Sequence, residues 1–109
     1  MVQVDLAGEV TKYGADPDQT RRLIETVAAC ENLRCVGLMT MPPFFNDPEG
    51  TRPFFAELRR LRDRLQLSAP QGVQLKELSM GMSGDFEVAV EEGATLVRIG
   101  TALFGPRQP

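Results

Sequence analysis

Apolar residues recur at two different spacings along this chain, and the alternation between those spacings lays out the fold. The opening stretch MVQVDLAGEV sets Val2, Val4 and Leu6 against Gln3 and Asp5, the two-residue period of a strand. After TKYGA, the run DPDQTRRLIETVAAC carries Leu23, Ile24, Val27 and Ala28 in one stripe at helical spacing. Asp16 is placed as the N-cap of that helix, Pro17 at its first position and Gln19 where a capping box needs it. RCVGLMTMPP reads as a second strand, stopped by Pro42 and Pro43. FFNDPEG is a loop of turn-forming residues. From Thr51 to Gln66 the period is helical again, with Phe54, Phe55, Leu58, Leu61 and Leu65 facing inward. Arg59, Arg60, Arg62 and Arg64 fall mainly on its other sides, interleaved with Glu57 and Asp63, as on a solvated helix face. A third strand is predicted from Val73 to Met80. SGDFEVAVEEG then forms a short helix capped by Ser83, burying Phe86, Ala89 and Val90 and ending at Gly93. TLVRI is the fourth strand.

The order is therefore β-α-β-α-β-α-β, one helix between each pair of strands. That alternation predicts an α/β fold with parallel strands joined by right-handed crossovers. Four such strands make either a small open sheet or one half of an eight-stranded barrel, for which about 250 residues is typical. With 109 residues the chain is read as one domain, residues 1–109, with a modest core. No repeat or low-complexity segment interrupts it.

A net charge of −3 gives no electrostatic reason to expect nucleic acid or an anionic membrane as partner. No apolar run approaches the roughly 20 residues of a membrane helix. Met1 leads directly into a strand-like stretch rather than a signal peptide, so a cytoplasmic protein is expected. Histidine is absent, which removes His-dependent triads, His general bases and the commonest metal ligand. Cys30 and Cys35 have no second pair to complete a zinc site and read as small buried residues, unpaired in a reducing compartment.

What remains for chemistry lies where strands turn into helices. SMGMSGD, Ser79 to Asp85, and RIGTALFG, Arg98 to Gly105, supply glycines and free backbone amides suited to an anion. In parallel barrels a phosphate site commonly lies on the loops after the last two strands. Ser83, Gly100 and Thr101 are candidates for it, against the plainer reading of a capped helix and a turn. Arg98 shares its side of the fourth strand with Leu96, opposite Val97 and Ile99. If Val97 and Ile99 pack under helices, Arg98 points into the barrel interior and needs an acceptor there. That acceptor is either a strand carboxylate, Asp5 or Glu77, or a ligand atom such as a heterocyclic nitrogen. Lys12 lies at the same mouth, as a solvated loop lysine or a second anion contact, whereas Lys76 is placed at the N-terminal end of its strand, away from that mouth. Met39, Met41, Met80 and Met82 flank strand ends as core or pocket filling rather than metal ligands.

The stretch LSMGMSGDFEVAVEEGATLVRIGTALFG resembles the C-terminal signature of the pyridoxal-phosphate homeostasis proteins, the YggS/PROSC-type family. VQVDLAGEVTKYG is similar to that family's mid-chain strand and Lys-x-Gly loop, and LRCVGLMTMP to its following strand. The resemblance covers essentially the whole chain. It implies a barrel like the N-terminal domain of alanine racemase, of which this chain is the C-terminal half, strands five to eight. It also implies pyridoxal 5′-phosphate as cofactor and a buffering or delivery role without turnover. By position, Ser83, Gly100 and Thr101 match the family's phosphate-binding residues and Arg98 its arginine at the pyridine nitrogen. Met82 lies beside them. An arginine there keeps the nitrogen unprotonated, which suits a binder more than a versatile catalyst.

The family's Schiff-base lysine belongs to the first strand, and no lysine here matches it, so the cofactor is expected to be held without a covalent bond. A half barrel also leaves its first and last strands unpaired, to be covered by a second copy or by a complementing N-terminal half. Two other readings stand beside this one: a fragment of a fold-type III amino-acid racemase or decarboxylase, and a half-barrel module that binds nothing.

Overall fold

The computed structural model describes residues 1–4, 16–42 and 46–100. Its strands are β1 (Val2–Val4), β2 (Gly37–Thr40), β3 (Glu77–Met82) and β4 (Leu96–Arg98). Between them lie α1 (Pro17–Ala28), α2 (Arg52–Leu67) and α3 (Phe86–Glu91), with one 3-10 turn at Pro48–Gly50. The strands form one parallel sheet in the order β1-β2-β3-β4, with Val2 opposite Leu38 and Leu38 opposite Leu78. This is the parallel, helix-alternating order that the sequence pattern predicted, and the arrangement expected of half a (β/α)8 barrel.

α1 starts where its capping box says it should. The Gln19 amide donates to Asp16 Oδ1 at 2.8 Å, and the Asp16 amide donates to Gln19 Oε1 at 3.1 Å. Asp16→Ala is expected to cost about 1 kcal/mol, read as a lower urea midpoint at unchanged slope. The buried stripe of α1 differs from the predicted one. Ile24 is buried and Val27 partly so, but Leu23 and Ala28 are exposed and Thr20 is fully buried. Positions 20, 24 and 27 share a face, and Thr20 tolerates burial because its hydroxyl donates to the Asp16 carbonyl at 2.7 Å.

α2 buries Phe55, Leu58, Leu61 and Leu65 as expected, adds Ala56, and leaves Phe54 only half-buried. With Val4, Leu38, Leu75, Leu78 and Met80, the side chains of Phe55, Leu58, Leu61 and Leu65 form the core under the sheet. β3 begins at Glu77, later than predicted. The Gln66 side chain takes the hydrogen bonds of the preceding segment, donating to the Val73 carbonyl and accepting from the Leu75 amide, so that segment is satisfied outside the sheet. Arg52 ties the start of α2 to two neighbours, with Glu49 in the 3-10 turn and Glu91 and Glu92 at the end of α3 all within 2.9 Å of its guanidinium. Those carboxylates raise its pKa above the ordinary arginine value.

α3 departs most from expectation. Its N-cap is Asp85, not Ser83, and it buries Val88 and Ala89 rather than Phe86 and Val90. Starting at Phe86 turns Ala89 onto the sheet and leaves Val90 exposed. Gly93 closes it at a φ of +104°, as expected. Among the described residues no helix is long and apolar enough to cross a membrane. Cys35 is buried and Cys30 is exposed at the end of α1, with no disulfide between them.

Candidate functional site

Because the strands are parallel and consecutive, their carboxyl ends share one rim. β3 leaves that rim through Ser83–Asp85 into α3, and β4 leaves it through Ile99 and Gly100. The β3–β4 register runs from Ser79 opposite Leu96 to Met82 opposite Arg98, with a bulge in β3 between them. Gly81 occupies the bulge at a φ of +102°. A Cβ there would stand 2.7 Å from the Ala89 Cβ and 3.4 Å from Val97 Cγ1. Val97 therefore lies on the helix-covered face, and alternation puts Arg98 on the opposite one. The bulge re-aims the last residues of β3, setting Met82 beside Arg98 and Ser83 directly after it.

Arg98 finds an acceptor that neither alternative had named. Its side chain crosses β3, and Nη2 donates to the Thr40 carbonyl on β2 at 3.0 Å. Thr40 is itself buried and donates its hydroxyl to the Val4 carbonyl at 3.0 Å, so one line of hydrogen bonds joins β4, β2 and β1 along the rim. Glu77 cannot serve, because it begins β3 opposite Gly37, at the far end of the strand from Met82 and Arg98. Asp5 lies outside the described residues. Arg98 Nε is buried with no hydrogen-bond partner among the described residues. Burial lowers the guanidinium pKa below its ordinary value, while the Asp85 charge acts in the opposite sense.

The described residues thus bring Met82, Ser83, Arg98 and Gly100 to one rim. Met82 is half exposed there, whereas Met80 is fully buried in the core. Gly100 is exposed, and no described atom lies within 4 Å of where its Cβ would be, so packing does not demand glycine. Thr101 and Lys12 lie outside the described residues. Lys76 is exposed just before β3, beside a cavity of about 290 Å³ at the opposite end that Arg34 and Glu77 also line.

Sequence reasoning passed over three residues of this rim. Thr40 and Gly81 act through backbone position, for which a residue type gives no warning. Asp85 had a readable signal, an acidic residue two places after a Ser-Gly turn starts. Its Oδ1 accepts from the Met82 amide at 2.8 Å, and its own amide donates to the Met82 carbonyl at 3.1 Å, closing the Ser83–Gly84 turn from both sides. Ser83 and Gly84 also line a cavity of about 300 Å³ whose wall carries Asp47, Glu49, Asp85 and Glu87. Four carboxylates make that approach unfavourable to an anion. The cation of the rim, Arg98, lies on the face of β4 opposite Val97, and an anionic ligand with a ring acceptor suits an approach from that face.

The family described as "Alanine racemase, N-terminal domain" matches residues 1–108. The pyridoxal phosphate homeostasis protein of Aquifex aeolicus (strain VF5) is 51% identical over 108 residues, 99% of this chain and 46% of its own length. The human protein of the same name is 45% identical over 109 residues, 98% of this chain and 40% of its own. Both relatives are named for homeostasis rather than for a reaction. PipY of Synechococcus elongatus PCC7942, solved with PLP bound, superposes with a TM-score of 0.82 at 39% identity, over 95% of this chain and 47% of PipY. Solved without PLP it gives a TM-score of 0.85. A lysine/ornithine decarboxylase from Vibrio vulnificus shares the fold, at a TM-score of 0.65 and 19% identity. The chain spans about half the length of the relatives it matches.

Proposed function

Given that this chain belongs to the alanine racemase N-terminal domain family, we propose that it binds pyridoxal 5′-phosphate at the carboxyl rim, as part of a cytoplasmic cofactor-homeostasis protein. The observation that carries this reading is the Arg98 Nε, a buried donor without a partner among the described residues. Such a donor calls for an acceptor, and an aromatic ring nitrogen supplies one. Ser83, Gly100 and Thr101 hold the phosphate in this reading, Met82 lines the ring, and Lys12 is at most a second contact. When bound, the cofactor supplies an aldehyde and an electron-accepting ring; the chain's own part is to seat the phosphate and keep the ring nitrogen unprotonated. The only lysines are Lys12 and Lys76, neither matching the family's covalent lysine, so these 109 residues hold the cofactor without a bond to it.

The sheet also needs a cover. β1 and β4 each have one neighbour in the described sheet, and the exposed apolar residues Leu23, Val90 and Leu96 flank those two margins. A second copy, or a complementing N-terminal half like the part of the relatives that this chain does not span, closes them.

The test is a titration of the chain with pyridoxal 5′-phosphate and, separately, with inorganic phosphate. Arg98→Ala is expected to weaken the cofactor about tenfold or more, by loss of a charge-assisted hydrogen bond, while leaving phosphate nearly unaffected. Ser83→Ala and Thr101→Ala should weaken both. Saturable binding of neither ligand overturns the reading in favour of a structural module. A shift of the cofactor's absorbance band abolished by Lys12→Ala overturns the non-covalent part alone.

A further inference from the structure

The turn that follows β3 is held by a carboxylate in a place where an anion site should avoid one. Asp85 Oδ1 accepts the Met82 amide at 2.8 Å, the Asp85 amide returns to the Met82 carbonyl at 3.1 Å, and the Asp85 carbonyl starts α3 by accepting from Ala89 at 3.1 Å. One residue thus fixes both ends of the Ser83–Gly84 turn and its junction with the helix. α3 is only six residues long, and Gly84 has no described atom within 4 Å of a Cβ position, so packing around Gly84 does not set the turn's shape. The negative charge at Asp85 works against a nearby phosphate. A side chain present for electrostatics alone would be neutral or basic, and the clamp is what requires an acceptor at this position.

We propose that Asp85 is a positioning residue for the anion site: its carboxylate oxygen locks the Met82–Asp85 turn in the shape that presents Ser83, while its charge opposes the anion so presented. The inference rests on the reading that the Ser83 turn receives the phosphate. It separates two properties of one side chain, hydrogen-bond acceptance and charge, which substitution can pull apart.

The experiment compares Asp85→Ala and Asp85→Asn with the unmodified chain, using inorganic phosphate and pyridoxal 5′-phosphate as probes, with amide hydrogen exchange at Met82 recorded alongside. Asp85→Ala removes the acceptor, so Met82 exchange accelerates and both probes bind about three- to thirtyfold more weakly, the range set by loss of one side-chain hydrogen bond. Asp85→Asn keeps an oxygen in place and drops the charge. Met82 stays protected, and both probes bind as well as or more tightly than to the unmodified chain. A merely structural role predicts no such rescue of affinity beyond the unmodified level. Equal weakening by both variants overturns the separation of clamp from charge. Binding untouched by Asp85→Ala overturns the positioning role while leaving the site in place. Binding of neither probe to the unmodified chain removes the site, and the positioning role with it.

Discussion

Gly37→Ala will be the most destabilising of the substitutions considered, costing more than about 4 kcal/mol. Gly37 opens β2 opposite Glu77, and a Cβ built on it would overlap the Glu77 carbonyl oxygen. The obstacle is backbone of the neighbouring strand, which also accepts no rotamer change, so relief requires parting β2 from β3 where the Glu77 amide bonds the Val36 carbonyl at 2.9 Å. These are the two central strands of the sheet. Ordinary overpacking costs about 1–3 kcal/mol; a clash with sheet backbone belongs among the exceptional substitutions, above about 4 kcal/mol. Against a total stability of about 5–15 kcal/mol for a small domain, that removes most of the margin. Far-ultraviolet circular dichroism with urea titration checks it, and a midpoint within a few tenths molar of the unmodified chain would show that the strands part cheaply.

Gly81→Ala is expected to be nearly as damaging, by two additive causes. Its φ of +102° is a conformation that a Cβ disfavours by about 1–2 kcal/mol. The new methyl would also meet Ala89 at 2.7 Å, which is itself a Cβ with no free torsion to yield. Together these predict a loss of about 2–4 kcal/mol. Unlike Gly37→Ala, this substitution acts at the bulge that sets Met82 beside Arg98. Anion affinity should therefore fall further than the folded fraction does. Phosphate binding measured per folded molecule separates the two losses; affinity that merely follows the folded fraction would show that the bulge does not set the rim.

The elements that sequence reading located are those whose determinants are local. Asp16, Pro17 and Gln19 specify a helix start within four residues, and α1 begins there. Phe55, Leu58, Leu61 and Leu65 repeat at helical spacing over a length sufficient to fix α2 and its buried face. α3 is too short for its period to decide between faces, and its start at Asp85 rather than Ser83 comes with the Ser83–Gly84 turn that Asp85 and Met82 close between them. Nor is the period decisive for Thr20 and Leu23, whose burial depends on how α1 is rolled against the sheet. At the site, the side of β4 that Arg98 occupies followed from alternation alone. Its acceptor did not, because a carbonyl two strands away carries no residue signature. Glu77 was ruled out only when the register put it at the other end of β3.

The unbroken strand order has a bearing on how such a chain acquires its structure during synthesis. Each strand pairs with the one made immediately before it: Leu38 meets Val2, Glu77 meets Gly37, and Leu96 meets Ser79. No strand must be inserted between two that are already joined, so every hydrogen bond formed early can be kept. A ribosome releasing this chain exposes one unsatisfied margin at a time at the growing end, and each new βα unit converts that margin into interior. Growth by accretion limits the span of chain that must search for a partner at any moment, which shortens the interval during which a nascent parallel sheet is open to misassembly.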